Sequence, residues 1–415
     1  MKKIISISCI VAVLMLLASC GGGGDSSSSA VEFYTDKGGE NVGIMNSMSD
    51  QIKKDGGVGY KTVGYTEVTA YETAIQQSLD SDKAPGLFTW WSGDKLKKLV
   101  DNDLVVDLTK EWKDYYEKEG VNPGLADAFT IDGKVYAAPY SVLYNGILYN
   151  KHLFDKYNLE VPKTWDEFIK VCDTLKANKV EPIGLKNDPW ASFLWFQTLI
   201  ASYNPDLYVG LTKGDIKYTD PEMKKVMKIW QKMIKKGYFG DPVDPASQVK
   251  MFSSDESAMI YEPTVTSTTL KKDYNMEPGK DFDVFVAPSM TADQKQVIFY
   301  EAAPIVVSKN SKQSAEAKKV LQSFYKKDVQ QIFVDEAGVI NTDQTKSDDP
   351  VNGGFVKEAA DASKYTVMIR YYEATPIDVV NVATDELWKF FYNPTDAMID
   401  DTLNTIQKAA DSAFK

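Results

Sequence analysis

The chain has 415 residues, with 47 lysines and arginines against 59 aspartates and glutamates, and a formal net charge of −12. That acidic balance excludes the basic footprint of a nucleic-acid surface, and a single histidine with three cysteines supplies too few soft ligands for a transition-metal site. No cofactor is expected: there is no Walker A motif, no G-x-G-x-x-G, no H-E-x-x-H and no G-x-S-x-G.

Lys2 and Lys3 precede an apolar run, Ile4 to Leu17, that is too short for a comfortable membrane span and has the form of a signal-peptide core. Leu17-Ala18-Ser19-Cys20 closes it and resembles the lipobox of bacterial lipoproteins. The resemblance implies removal of residues 1–19 and acylation of Cys20, which would anchor the chain to a membrane. The rival is an ordinary cleaved signal with a chance cysteine. Gly21 to Ser29 is a flexible tether by composition, so residues 20–30 form the lipidated cysteine and its linker. Loss of residues 1–19 from 415 leaves 396, too many for one core, and loss of two lysines takes the net charge to −14. Cys172 then stands alone in an apolar helical context and reads as a small core residue.

Val31 to Tyr34 reads as a strand, with a polar loop from Thr35 to Glu40. Tyr60 to Tyr65 is a second strand and Thr69 to Leu79 a helix, with Tyr71, Ile75 and Leu79 in register. Leu87 to Thr89 is a third strand, followed by Trp90-Trp91-Ser92-Gly93 and a helix from Asp94 to Val100. Strands alternating with helices point to an α/β fold with parallel strands and crossover helices. Val142 to Tyr149 is the next strand, and Thr164 with Glu167 forms a capping box for the helix after it. Helices follow at 190–203, 221–236 and 249–254, and strands at 257–261, 282–286 and 303–308. The chain ends in helices near 314–325, 329–337, 379–391 and 396–414.

Four stretches together resemble the family 1 extracellular solute-binding proteins, the carbohydrate receptors of bacterial ABC importers. They are Ala84 to Trp90; Pro139-Tyr140 through Tyr149-Asn150-Lys151-His152-Leu153-Phe154 to Phe168; Phe252 to Tyr261; and Pro304 to Ser311. Gly86 stands where that family usually has an aspartate. The resemblance implies a two-lobe, periplasmic-binding-protein-like fold, each lobe a sheet flanked by helices, joined by a hinge that the chain crosses more than once. Lobe 1 would hold residues 31–138 plus 302–343, and lobe 2 residues 139–301 plus 344–415. Ligand would bind between the lobes, which would close by hinge bending. The implied partners are a small-molecule carbohydrate and two ABC permease subunits powered by a cytoplasmic ATPase, served by a monomeric receptor on the outer face of the cell membrane.

In open α/β sheets, ligands bind beyond the carboxyl ends of strands. That rule selects Asp36, Tyr65, Trp90 and Trp91. Aromatic rings can cover the apolar face of a pyranose while carboxylates, amides and arginine fix its hydroxyl rim. The bland alternative for the Trp pair is a hydrophobic staple over the helix from Asp94, and for Tyr65 a place in the core. Trp190 follows the turn sequence Asn187-Asp188-Pro189 and corresponds to a ligand-contacting loop of the family. Glu262 follows a strand, and Glu301 sits at a lobe crossing, where a hinge salt bridge is its rival. Arg370 is the one arginine of the chain. It is suited both to ligand hydroxyls or a uronate and to a glutamate partner. Tyr140, in the second matching stretch, and Tyr371, beside Arg370, complete the candidate ligand-binding set. Two rival functions remain: a receptor for a non-sugar ligand such as a polyamine, and a surface glycoside hydrolase using paired carboxylates. The only histidine, His152, reads as an exposed helix start rather than a catalytic base.

Overall fold

Eleven short runs rich in β-branched and aromatic residues form the strands: β1 Val31–Thr35, β2 Tyr60–Gly64, β3 Leu87–Thr89, β4 Thr130–Ile131, β5 Lys134–Val135, β6 Ala138–Asn150, β7 Glu181–Gly184, β8 Ser257–Pro263, β9 Phe282–Phe285, β10 Gln296–Val307 and β11 Tyr365–Ile369. The computed structural model describes residues 30–414, apart from the side chains of Glu40, Pro189 and Trp190; the leader and Cys20 lie outside the described residues. Among those described, no helix is long and apolar enough to cross a membrane.

Among the described residues two large hydrophobic cores form, with two small clusters beside them. One gathers residues from 31–142 and 302–339, including Phe33, Leu87, Trp112 and Phe333. The other gathers residues from 147–299 and 371–410, including Phe168, Trp195, Trp230 and Phe390. Each is large enough to hold its own α/β layer together by apolar burial. The chain passes between them along β6, along β10, and through the segment from Val339 to Tyr371.

The sheet runs in the order β2-β1-β3-β10-β6-β8-β7, with β11 paired to β10 and β9 to β6. The two bodies therefore share the long antiparallel pair β6 and β10, in register from Tyr144 opposite Tyr300 to Ala138 opposite Ile305. β10 is longer than the run 303–308 suggests, because its first half is held by β11. A register shift between Ala303 and Pro304 accommodates the proline, which has no N–H to give the ladder. β11 and the helix Glu40–Lys54 had no sequence counterpart.

Local caps hold the helices that matter to the site. Thr164 and Glu167 form the capping box read from sequence, with the Glu167 N–H donating to Thr164 Oγ1 at 3.3 Å. Asp188 Oδ1 accepts from the Ala191 N–H at 2.9 Å and starts the helix Pro189–Tyr203, which has proline in its first turn. That helix is apolar on nearly every side because it lies inside the second body, with Phe193, Trp195, Phe196, Leu199 and Ile200 all buried. Cys172 is a fully buried free thiol, and burial pushes its pKa up. His152 sits on the exposed surface beside Asp281, 3.2 Å from its carboxylate.

The third passage is fastened by Asn341, a buried side chain whose Oδ1 accepts from the Val142 N–H at 3.2 Å and whose Nδ2 donates to Tyr140 O at 2.8 Å and Gln330 Oε1 at 3.1 Å. Asn341→Ala leaves these buried groups unpaired, and each costs about 1–3 kcal/mol. The expected loss is about 3 kcal/mol or more in urea unfolding, measured as a lower midpoint at unchanged slope.

Candidate functional site

Strand direction places the site. β1, β2 and β3 are mutually parallel, and β3 is antiparallel to β10. β8 is antiparallel to β6, β7 is parallel to β8, and β11 is parallel to β10. Traced through the shared pair, the carboxyl ends of β1, β2 and β3 point toward the second body. Those of β7, β8 and β11 point toward the first. All six end on the boundary between the two cores.

β3 and β11 lie on the same edge of β10 and meet head-on. The Trp90 N–H donates to Pro304 O, and the Arg370 N–H donates to Tyr300 O, both at 3.0 Å. Between them the β10 edge from Glu301 to Ala303 has no ladder partner. Four residue steps separate the two anchor points, or roughly 13 Å. The gap is walled by the loop after β3 on one side and the loop after β11 on the other, with Glu301 on its floor.

On the first wall the two tryptophans divide. The Trp90 Nε1–H donates to Lys95 O at 3.2 Å, and its ring packs edge-on against Phe88 with centroids 5.9 Å apart. It is fixed by both polar and apolar contacts. Trp91 is 9% exposed against 5% for Trp90, stands 69° to it at 5.1 Å, and carries the Lys95 ammonium 4.0 Å over one ring face. Lys95 also pairs with Glu72. Tyr65 is half-buried and rests edge-on against Tyr71. Asp36 holds the loop itself: Oδ1 accepts from Thr89 Oγ1 at 2.7 Å and Oδ2 pairs with Lys37 at 2.8 Å.

On the second wall Arg370 is buried between two carboxylates. Its Nη1 reaches Glu301 Oε2 at 2.7 Å, and its Nε and Nη2 fork onto Glu373 at 2.7–3.0 Å. Burial alone would lower the guanidinium pKa, and the two carboxylates hold it above its ordinary value. Burial raises Glu373 although Arg370 opposes it. The Tyr372 ring lies under the guanidinium at 5.8 Å and stacks on Phe193 at 6.2 Å. A second charged group lies at the ends of β7 and β8, where Lys186 Nζ is 2.9 Å from Glu262 and 3.3 Å from Asp188.

Two candidates face packing instead. Tyr371 is fully buried, its hydroxyl paired to Tyr218 at 2.6 Å and its N–H donating to Gln197 Oε1 at 2.8 Å. Tyr140 packs on Phe333 inside the first core, 2% exposed. The side chain of Trp190 lies outside the described residues. Sequence reading missed Glu72, Lys95, Lys186, Asp188, Tyr372 and Glu373. The i, i+3 spacing of Arg370 and Glu373 was a usable signal.

The walls approach closely at Gly93. Gly93 has φ of 68°, and a Cβ built on it would stand 2.0 Å from Glu373 O. Only glycine permits both that backbone and that approach.

Residues 47–352 match the family described as bacterial extracellular solute-binding protein, and the chain belongs to that family. The diacetylchitobiose binding protein NgcE of Streptomyces coelicolor is 25% identical over 316 residues, 67% of this chain and 66% of its own length. An uncharacterized ABC transporter extracellular-binding protein of Pyrococcus horikoshii is 32% identical over 150 residues, 34% of this chain. The match spans 35% of that relative. The chain thus spans less than two thirds of either curated relative. Among solved structures, the bacterial solute receptor AcbH, described as having an exclusive preference for β-D-galactopyranose, superposes with a TM-score of 0.78. It has 20% identity, over 93% of this chain and 99% of its own. That likeness establishes the shared two-lobe α/β fold.

Trp90→Ala removes an indole with a bonded N–H and should cost about 3–5 kcal/mol of stability. Trp91→Ala should cost at least ~1 kcal/mol less in the same urea series, since it is the more exposed of the two rings; equal losses would show that both rings serve only to pack the loop. Gly93→Ala should weaken ligand binding about tenfold or more by opposing closure of the gap. X-ray scattering at saturating ligand should then give a larger radius of gyration than the parent protein.

Proposed function

We propose that this chain is the sugar or oligosaccharide receptor of a bacterial ABC importer. It binds its ligand over the uncovered edge Glu301–Ala303 and performs no chemistry on it. The reading rests on one observation: an aromatic wall and a charged, hydrogen-bonding wall approach each other head-on across that edge. A sugar ring offers an apolar face to the first and a hydroxyl rim to the second. The diacetylchitobiose and galactopyranose specificities named for NgcE and AcbH support the ligand class.

In this reading Trp91 is the ring that contacts ligand and Trp90 its support. Tyr65 extends the aromatic surface, and Trp190 is retained as a ligand contact on its place in the sequence. Glu301, Arg370 and Glu262 supply hydrogen bonds, with Glu301 and Arg370 also joined to each other. Lobe 1 comprises residues 31–138 and 302–343, lobe 2 residues 139–301 and 344–415, and the shared strands form the hinge. Signal cleavage and acylation at Cys20 tether the receptor to the outer face of the membrane. The closed, loaded monomer then delivers its ligand to the permease subunits and their cytoplasmic ATPase.

Calorimetric titration and thermal shift against mono- and oligosaccharides test the reading. At least one sugar should bind saturably and, at about 100 times its Kd, stabilise the fold by about 2.7 kcal/mol. Trp91→Ala should lose about tenfold or more in affinity while melting cooperatively. Hydrolysis of a glycan by the purified protein, or a screen in which no sugar shifts melting, would overturn it.

A further inference from the structure

Glu262 closes β8 with an incomplete set of partners. Its Oε2 accepts from Lys186 Nζ at 2.9 Å, whereas its Oε1 is buried with no protein partner among the described residues. Lys186 is shared with Asp188, so one cation faces two carboxylates. Gln248, also in the wall, gives one N–H to Gly184 O at 3.1 Å, and its side chain, like Lys186, offsets part of the effect of burial on Glu262. Beside Glu262 lies a cavity of about 10 Å³, walled by Gly184, Lys186, Trp195, Gln248 and Tyr261. That volume fits one group the size of a water molecule. Lys186 and Asp188 keep 15% and 20% of their side chains exposed, so the cluster is not sealed.

A buried acceptor with no donor is costly, and the cost is greater for a charged one. Burial accordingly lifts the Glu262 carboxyl above the usual range, with Lys186 offsetting only part of the shift. A ligand hydroxyl would complete the hydrogen bond but leave the surplus charge. A protonated amine supplies both the donor and the charge, at the size the cavity admits. The Arg370 group repeats the balance, one cation against Glu301 and Glu373, so the gap as a whole disfavours an acidic sugar.

We propose that Glu262 Oε1 and the adjoining cavity form a subsite for a primary ammonium group, and that the preferred ligand is an amine-bearing glycan. The glycan half of this statement rests on the sugar-receptor reading; the ammonium half does not. An amino sugar and a linear polyamine share the chemistry, and the test separates them.

The protein is titrated calorimetrically at about pH 6, where such an amine is protonated. The probes are the β-1,4-linked disaccharides of glucosamine, N-acetylglucosamine and glucose, and spermidine. The glucosamine disaccharide should bind about 10- to 100-fold more tightly than the glucose one. Glu262→Gln should bring that ratio to within about threefold. Equal affinity for the glucosamine and glucose disaccharides, or a ratio that survives Glu262→Gln, overturns the subsite and leaves the sugar receptor standing. Binding of spermidine but no sugar supports the subsite and overturns the glycan. Binding of none of the four overturns the subsite. If Glu262→Gln does not melt cooperatively, Asp188→Asn removes the same surplus charge while still able to cap its helix. An unchanged ratio in that variant overturns the proposal.

Discussion

Everything about the site follows from the pairing of β6 with β10. These two antiparallel strands belong to both cores, and their register fixes the direction of every strand laid beside them. Because β3 and β11 add to the same edge of β10 from opposite ends, their carboxyl termini must face each other. A parallel strand leaves its functional loop at its carboxyl end, so the pairing brings two sets of loops from two bodies onto one short stretch of backbone. The same pair would serve as the hinge of the proposed receptor, because it is extended chain between two packed cores.

Electrostatics distinguish the two walls. Single ion pairs at the surface contribute little, but the Arg370 cluster is buried, and breaking a buried pair leaves an uncompensated charge. A guanidinium can fork onto Glu373 and still reach Glu301 in a different direction, a geometry a point-like ammonium does not match. That explains why the one arginine in a lysine-rich chain sits there. It also joins the C-terminal segment to the hinge strand, so the wall after β11 is held to the floor of the gap. The wall after β3 has no such ionic tie to the floor. It is held by the Trp90 N–H on Pro304 O and by aromatic packing around Tyr71.

Much of this architecture was legible along the chain. Leu87–Thr89 is found where it was read because Gly86 and the Ser92-Gly93 pair punctuate it on either side. The Thr164 capping box needed only residues three apart. What escaped was set by distant partners. β11 is half-exposed and its apolar run is only Val367-Met368-Ile369, so its strand character comes from β10. The fate of adjacent Arg370 and Tyr371 is decided by Glu301, Gln197 and Tyr218, the last 153 residues away from Tyr371. Glu262 meets Lys186 across 76 residues. The two tryptophans are indistinguishable by composition. Only the bonded Nε1–H of one and the ammonium over the other separate them.

That separation bears on how closure and recognition are joined. Trp91 and Gly93 are two residues apart in a loop whose position is set by Asp36, Thr89 and Tyr71. The loop is therefore tied to the first body, and the same loop that carries Trp91 approaches Glu373 O through Gly93. In the proposed receptor, Trp91 would be brought to the ligand as Gly93 meets Glu373, and the affinity gained would be coupled to the closed shape through differential binding.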